Sequence, residues 1–319
     1  MKCIVTGGAG FIGSHVVDRL LIDGHQVLCI DNLSLGKQAH VDLHNQKENY
    51  RFLKQDLNDQ IALDEAFTIF QPEAIFHLAA NSDIGAGATN IEVDLRNTFG
   101  TTLAILRAIE HCSSVKQLLF ASTSAIYGTI PDTITEKTGP LIPQSNYGAA
   151  KLASEAFIDA FTHTHSLQTW IFRFPNVCGP RATHGVFYNF LKFLTADPHQ
   201  ITVAQDGNQA KPYIYVKDLV EAIMLGWSKG NEPINIYNVG NLPLVSVNEI
   251  VHFFLDELGL SNTKIEYTHA PAWPGDVATY TYDDSKIRAL GYAPQYTATE
   301  AAQQTVRDLV ANQHSGTLT

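Results

Sequence analysis

The run Lys2-Cys3-Ile4-Val5-Thr6-Gly7-Gly8-Ala9-Gly10-Phe11-Ile12-Gly13 decides the fold of this chain. Its first residues read as a short buried strand, and its glycines as a tight turn feeding a helix from Phe11 to Asp23. Gly7, Gly10 and Gly13 let the backbone turn, approach a pyrophosphate and pack helix on strand, while the helix N-terminus offers unpaired amides to phosphate. A second strand, Gln26 to Ile30, ends in Asp31, about 18 residues past the last glycine. A carboxylate there is placed to accept from a ribose 2′-hydroxyl and repels a 2′-phosphate, so NAD is expected over NADP. A glycine pattern alone is weak; strand, helix and acid in register make it a dinucleotide fingerprint. The expected fold class is α/β, a Rossmann-type doubly wound parallel sheet with a smaller C-terminal substrate-binding lobe.

The strand–helix alternation continues outward from that unit. Further strands are expected at Arg51–Leu53, Ala74–Leu78, Gln117–Phe120 and Trp170–Phe174, with helices near Asp59–Phe70, Ile91–Cys112 and Tyr147–His163. From Pro175 the pattern is punctuated by Gly179-Pro180, Pro198, Gly207 and Pro212, as in loops that build a pocket. The helix Val216–Trp227 and strand Asn235–Val239 read as a return to the sheet, followed by helices near Val247–Leu258 and Ala298–Asn312. The expected division is 1–174 with 216–240 for the dinucleotide, and 175–215 with 241–319 for the substrate.

The bulk properties narrow the function classes. With 319 residues and 45% hydrophobic content the chain has ample core. A net charge of −11 without a long basic run argues against nucleic acid or an anionic membrane surface as a partner. The four cysteines, Cys3, Cys29, Cys112 and Cys178, are scattered and form no close metal-ligand pair, so no metal is expected. They read as small core hydrophobes in a reducing compartment. A strand beginning at residue 2, and no apolar run of the ~18 residues a span needs, lead to the expectation of a cytoplasmic enzyme.

Tyr147 and Lys151, in Ser145-Asn146-Tyr147-Gly148-Ala149-Ala150-Lys151, stand one helical turn apart. A phenol of pKa ~10 is a poor base at neutral pH unless a fixed cation lies beside it, and the i,i+4 spacing supplies one. The strand before them delivers Ser122, Thr123 and Ser124 to the carboxyl edge of the sheet, where one hydroxyl can donate to an oxygen whose charge changes during hydride transfer. Routine turn chemistry accounts for at least one of the three. Asp56 is placed either to hold an adenine amine or to act as a helix N-cap. His77 reads as a satisfied core histidine, and Asn97 as an amide that is solvated or braces the site through water.

Together the glycine fingerprint, Asp31-Asn32, Asp56-Leu57, His77-Leu78-Ala79-Ala80, Ser122 to Gly128, Tyr147-x-x-x-Lys151, Arg173-Phe174-Pro175-Asn176 and Tyr213 to Asp218 resemble the extended short-chain dehydrogenase/reductases. Within them the chain is most similar to the NAD-dependent nucleotide-sugar epimerase/dehydratase group, and there to the UDP-glucose 4-epimerases, from residue 1 to about residue 295. The resemblance implies Thr123, Tyr147 and Lys151 as the catalytic set. It implies cofactor contacts at Gly7, Gly10, Phe11, Ile12, Gly13, Asp31, Asn32, Asp56, Leu57, Leu78, Ala79, Ala80, Asn97, Ser122, Tyr147, Lys151 and Pro175. Implied substrate contacts are Ser124, Asn176, Arg181, Lys211, Trp273 and Tyr280. Lys211 and Trp273 stand where many UDP-sugar epimerases carry diphosphate-clamping arginines, Arg181 is a candidate replacement, and Tyr280 points to an unacetylated hexose. A homodimer through the helices near Ile91–Cys112 and Tyr147–His163 is also implied.

An absence separates the reactions of the group. Dehydratases resembled here carry Asp-Glu directly after the catalytic threonine, whereas this chain has Ser124-Ala125. Neither does acid–base work near neutral pH. The expectation is therefore an isomerase, a nucleotide-sugar 4-epimerase acting on a UDP-hexose through a transient keto sugar. A dehydratase or reductase of the same fold, or a non-catalytic NAD-sensing protein, is the alternative.

Overall fold

Strand β1 (Lys2–Thr6) lies inside a seven-stranded sheet in the computed structural model, which describes residues 1–130, 133–268 and 281–314. Helix α1 (Phe11–Ile22) leads to β2 (Gln26–Asp31), the short α2 (Gln38–Asp42) to β3 (Tyr50–Lys54), and α3 (Gln60–Phe70) to β4 (Ala74–His77). Helices α4 (Ile84–Thr89), α5 (Ile91–Asp94) and α6 (Thr101–Glu110) precede β5 (Gln117–Thr123), and α7 (Asn146–Thr164) precedes β6 (Gln168–Phe174). The strand Ile234–Asn238 completes the sheet beside β6.

Every pairing in this sheet is parallel, and the order runs from Ile234–Asn238 through β6, β5, β4, β1 and β2 to β3. The chain moves outward from β1 to β3, then crosses back to β4 on the other side of β1. That reversal opens a crevice at the carboxyl ends of β1 and β4, where open α/β sheets receive ligands. The strands are apolar on both faces because both are covered. Cys3, Val5, Val27, Cys29, Phe76, Leu119 and Phe172 pack with α1 and the helix Val216–Lys229, and Ile4, Ile30, Ile75, Leu118 and Phe120 pack with α3, α6 and α7. Each fully buried aliphatic or aromatic side chain contributes about 1.5–3 kcal/mol.

All four cysteines are buried and free, and burial pushes the thiols of Cys3, Cys29 and Cys178 up to about 12. Among the described residues no helix is long and apolar enough to cross a membrane, and no cluster of His, Cys, Asp or Glu could hold a metal ion.

Two segments differ from the sequence reading. The stretch after Pro175 is not loop alone. It holds the helix Val186–Ala196, whose Phe187, Phe190, Leu191 and Leu194 enter a third apolar cluster with the helices Val247–Leu258 and Ala298–His314. The single helix expected near Ile91–Cys112 is interrupted by a π turn over Leu95–Gly100. The threonine hydroxyls explain the interruption: Thr101 donates to the carbonyls of Asn97 (3.2 Å) and Thr98 (2.9 Å), and Thr102 donates to Thr98 (3.1 Å). Side chains that compete for backbone acceptors loosen a helix, and Gly100 lowers the cost of widening it.

Candidate active site

The glycine turn is built by close approach. Gly7 has φ 71, and a Cβ on it would lie 2.8 Å from the Ala79 nitrogen, so the turn rests directly on the end of β4. A Cβ on Gly13 would lie 2.1 Å from the Gly7 carbonyl oxygen, whereas at Gly10 the nearest atom is that same oxygen at 3.1 Å. The first and third glycines thus seat α1 on the sheet, and the second leaves its outer side open. Helix α1 begins after Gly10 with no side-chain cap, so the leading amides of Phe11, Ile12 and Gly13 have no intrahelical acceptor. That is a ready phosphate site, with the positive end of the helix dipole behind it.

Around this turn stand the carboxyl ends of the other strands. Asp31 is buried at the end of β2, accepting from Ala9 N at 3.0 Å and Leu33 N at 2.8 Å, and burial raises its carboxyl above the usual range. Each carboxylate oxygen keeps a second lone pair for a ligand hydroxyl. Asn32 is exposed, its side-chain oxygen accepting from Ser34 N at 2.9 Å. Asp56 accepts from Asn58 and, at 3.1 Å, from Arg96; the N-cap of α3 is Asp59 instead. Leu57 is a core residue under that turn. Leu78, Ala79 and Ala80 are half-buried beyond β4, and Pro175 is buried beyond β6. His77 is a satisfied core histidine, bonded to Thr6 Oγ1 at 2.7 Å and Thr102 Oγ1 at 3.1 Å; burial lowers its pKa to about 3.

Tyr147 sits in the first turn of α7, capped by Ser145, whose hydroxyl accepts from Gly148 N at 3.1 Å. A Cβ on Gly148 would lie 2.6 Å from the Ala125 carbonyl oxygen, so the helix start presses against the chain just past β5. This contact brings Thr123 and Tyr147 together, where the Thr123 hydroxyl favours the phenolate form of Tyr147. Lys151, 2% exposed, places Nζ 6.0 Å from the Tyr147 ring centre and 4.5 Å from that of Phe120, and donates to the Ala121 carbonyl at 2.6 Å. Burial pushes the Tyr147 phenol up to about 12, against the Thr123 hydrogen bond, and burial lowers Lys151 to about 7 against the charge of Glu155.

Ser122 is buried, and its hydroxyl donates to the buried Glu155. Glu155 lies one turn beyond Lys151 and grips Arg173 of β6, Nη2 to Oε2 at 2.6 Å and Nε at 3.1 and 3.2 Å. Arg173 continues to the Tyr127 hydroxyl at 2.9 Å, and Tyr127 donates to Asn238 at 2.7 Å. Asn97 is exposed on the π turn; Thr98 and Asp94 are buried polar residues there, and Thr98 accepts from Asn81 N at 3.1 Å.

The implied substrate contacts are scattered. Asn176 is in a strand, paired with Tyr213, rather than in a turn. Ser124 opens a short 3-10 turn after Thr123. Arg181, at φ 67, is turned against α1, its Nη2 2.8 Å from Asp18, and that ion pair occupies half of the fork a diphosphate would need. Lys211 is half-buried in a two-residue strand paired with Val245–Ser246. Trp273 and Tyr280 lie outside the described residues.

The sequence reading missed Glu155, Asn81 and Asp94. Arg173 had a signal, a charge inside an otherwise apolar run, and Glu155 repeats the four-residue step from Lys151. Asp94 had none, because an acid near a helix start reads as ordinary capping.

Comparison with known proteins places this geometry. The model of the NAD dependent epimerase/dehydratase family matches residues 3–240, and the chain belongs to that family. It is 30% identical to a UDP-glucose 4-epimerase of Mycolicibacterium smegmatis, over 96% of this chain and 97% of that one. It is 31% identical to a probable dTDP-glucose 4,6-dehydratase of Sinorhizobium fredii, over 98% and 93%. The crystal structure of a Thermus thermophilus UDP-glucose 4-epimerase in complex with NAD superposes with a TM-score of 0.86 at 31% identity, covering 97% of this chain and 99% of that one. The cofactor is NAD, and the open amides after Gly10 with the Asp31 carboxylate beside them fit it.

Proposed function

We propose that this chain is a nucleotide-sugar 4-epimerase, with a UDP-hexose as substrate. The observation that carries the reading is the Thr123–Tyr147 pair beside Lys151, followed by Ser124 and an Ala125 packed under Gly148. Bound NAD supplies a reversible hydride acceptor. Tyr147 takes the proton of a sugar hydroxyl, Thr123 holds the oxygen whose charge changes, and Lys151 stabilises the phenolate by its charge. Once the keto sugar has turned in the site, Tyr147 would hand the proton back to its oxygen, giving the epimer with no net redox change. Elimination of water needs a further acid and base, and the two residues after Thr123 provide neither.

On this reading Asp31 accepts from the adenosine ribose, the amides of Phe11 and Ile12 meet the pyrophosphate, and residues 1–174 with 216–240 hold the cofactor. Residues 175–215 and 241–319 hold the nucleotide sugar, with Asn176 and Lys211 facing it. Incubation with UDP-, dTDP-, GDP- and CDP-hexoses, followed by separation of the products, tests the proposal. Interconversion of two UDP-hexoses without build-up of reduced nicotinamide is expected. A stable keto-deoxy product from a dTDP-hexose would replace the epimerase reading by the dehydratase one, which the equally similar Sinorhizobium protein keeps in view.

Homodimerisation is part of the proposal. Ile91, Leu95 and Phe157 are 61%, 48% and 52% exposed on the packed helical pair formed by 91–110 and α7, with Phe99 and Phe157 in edge contact at 5.2 Å. Covering such a surface favours association. Light scattering is expected to give twice the chain mass, and Leu95→Glu to halve it; a monomeric wild type would remove this part.

A further inference from the structure

The loop that follows β2 covers the acid expected to hold the cofactor's ribose. Asp31 is 9% exposed, and a Cβ on Gly36 would lie 2.9 and 3.0 Å from its two oxygens. From Gly36 the chain folds back onto the glycine turn, where Lys37 N and His40 Nδ1 both donate to the Ala9 carbonyl, at 3.0 and 2.8 Å. The far end of the loop is fastened to α1. His44 Nε2 donates to Asp18 Oδ1 at 2.6 Å, and His44 Nδ1 has no hydrogen-bond partner among the described residues, so the bond to Asp18 orients the ring. The other oxygen of Asp18 is taken by Arg181, Nη2 to Oδ2 at 2.8 Å. Three residues earlier on the same face of α1, His15 Nε2 donates to the Pro180 carbonyl at 3.1 Å. One helix face thus fixes both the end of the loop and the segment that follows the strand Asn176–Cys178. With both oxygens committed, the Asp18 carboxylate is held toward His44; Asp18 and Arg181 are half-buried and His44 is buried.

We propose that Asp18 is a positioning residue for the cofactor: through His44 it holds the loop 32–47 closed beside Asp31, and this clasp sets how fast NAD leaves. The inference rests on the reading that Asp31 accepts from the adenosine ribose. A ribose bound to that carboxylate lies beside Gly36, so its release needs the loop to move. Two kinds of tie resist that movement, the donors on the Ala9 carbonyl and the His44–Asp18 pair at the far end. Release scales with the fraction of time the loop is open, so loosening one tie speeds it without changing an atom that meets NAD. Arg181 contributes by fixing the carboxylate, which gives this arginine a part in holding the cofactor.

The test is the release of NADH from the loaded protein, followed by its fluorescence in a stopped-flow chase with excess NAD. Asp18→Ala is expected to speed release about five- to tenfold. His44→Phe keeps a ring against Tyr50 and loses only the tie, and is expected to speed release about threefold or more; should Asp18→Ala not fold, this variant decides. The double variant is expected to release no faster than Asp18→Ala, because both changes open the same tie. Arg19→Ala controls for a general loosening of α1: it is the next residue on the helix, and its ion pairs reach Asp23 and Glu221 rather than the loop. Its release rate is expected to stay within about twofold of wild type. Release unchanged in Asp18→Ala and His44→Phe, or speeded as much by Arg19→Ala, overturns the proposal. Asp31→Ala tests the ribose reading separately. If it binds NADH like wild type while Asp18→Ala releases NADH faster, the ribose contact fails and the clasp stands. If it binds at least about tenfold more weakly while release from Asp18→Ala is unchanged, only the clasp fails.

Discussion

Replacing Tyr147 by Phe is expected to lower turnover by at least about a hundredfold while leaving NAD affinity within a few-fold of wild type. The ring fills the same space, so the contact with Lys151 and the packing of the first turn of α7 on Ala125 survive. What is lost is the phenolic hydroxyl beside Thr123, the group proposed to take the sugar proton. The size of the effect follows from how far the site must shift that phenol. In the protein alone, burial holds it at about 12 and holds Lys151 at about 7, the reverse of the order that base catalysis requires. Bringing the phenol from there to neutrality takes about 7 kcal/mol of differential stabilisation, so positive charge beside it in the loaded site is a requirement of the mechanism. Turnover with a nucleotide sugar and fluorescence titration with NAD measure the two quantities separately. Near-normal turnover in Tyr147→Phe removes the residue from its role.

Arg173→Leu is expected to be the most damaging substitution away from the reacting atoms, costing about 3–5 kcal/mol of stability. Both side chains of the ion pair with Glu155 are nearly inaccessible, 5% and 6% exposed. Burial opposes the charge of Arg173, but hydrogen bonds and charge from Glu155, followed by Tyr127, outweigh it and hold its proton more firmly than usual. Removing the arginine leaves Glu155 buried with only the Ser122 hydroxyl, and leaves the Tyr127 hydroxyl without its donor. Removing both charges together in Arg173→Leu/Glu155→Leu is expected to recover part of the loss, because no buried charge is then left alone. Urea unfolding of the single and double variants measures this. A double variant no more stable than Arg173→Leu contradicts it.

The sheet was legible because its signals are local and redundant. Short, largely apolar runs of three to five residues mark all seven strands, and the glycine turn marks the crevice, since Gly7 and Gly13 are demanded by backbone contacts that no other residue satisfies. Tyr147, Lys151 and Thr123 were legible as a helical spacing and a strand end, and the structure joins them through the contact of Gly148 with Ala125. What stayed hidden depends on direction. Ser122, Thr123 and Ser124 arrive at one edge as three equal hydroxyls, and only the alternation of side chains along β5 turns Ser122 inward to Glu155. The π turn was hidden for a related reason, because Thr101 and Thr102 look like ordinary helix residues until their hydroxyls find the carbonyls behind them. Arg181 is a candidate phosphate ligand by residue type, and its ion pair with Asp18 of α1 is a long-range contact that residue type does not show.

The central claim is that Tyr147 removes and restores the hydroxyl proton at one sugar carbon, for which bound NAD would serve as the reversible acceptor of that carbon's hydride. It is tested most directly with a UDP-hexose carrying deuterium at the reacting carbon. The account predicts that the epimeric product keeps the label on that carbon, with no deuterium in solvent and no change in total NAD. Loss of the label to water, or a product lacking the elements of water, would contradict it.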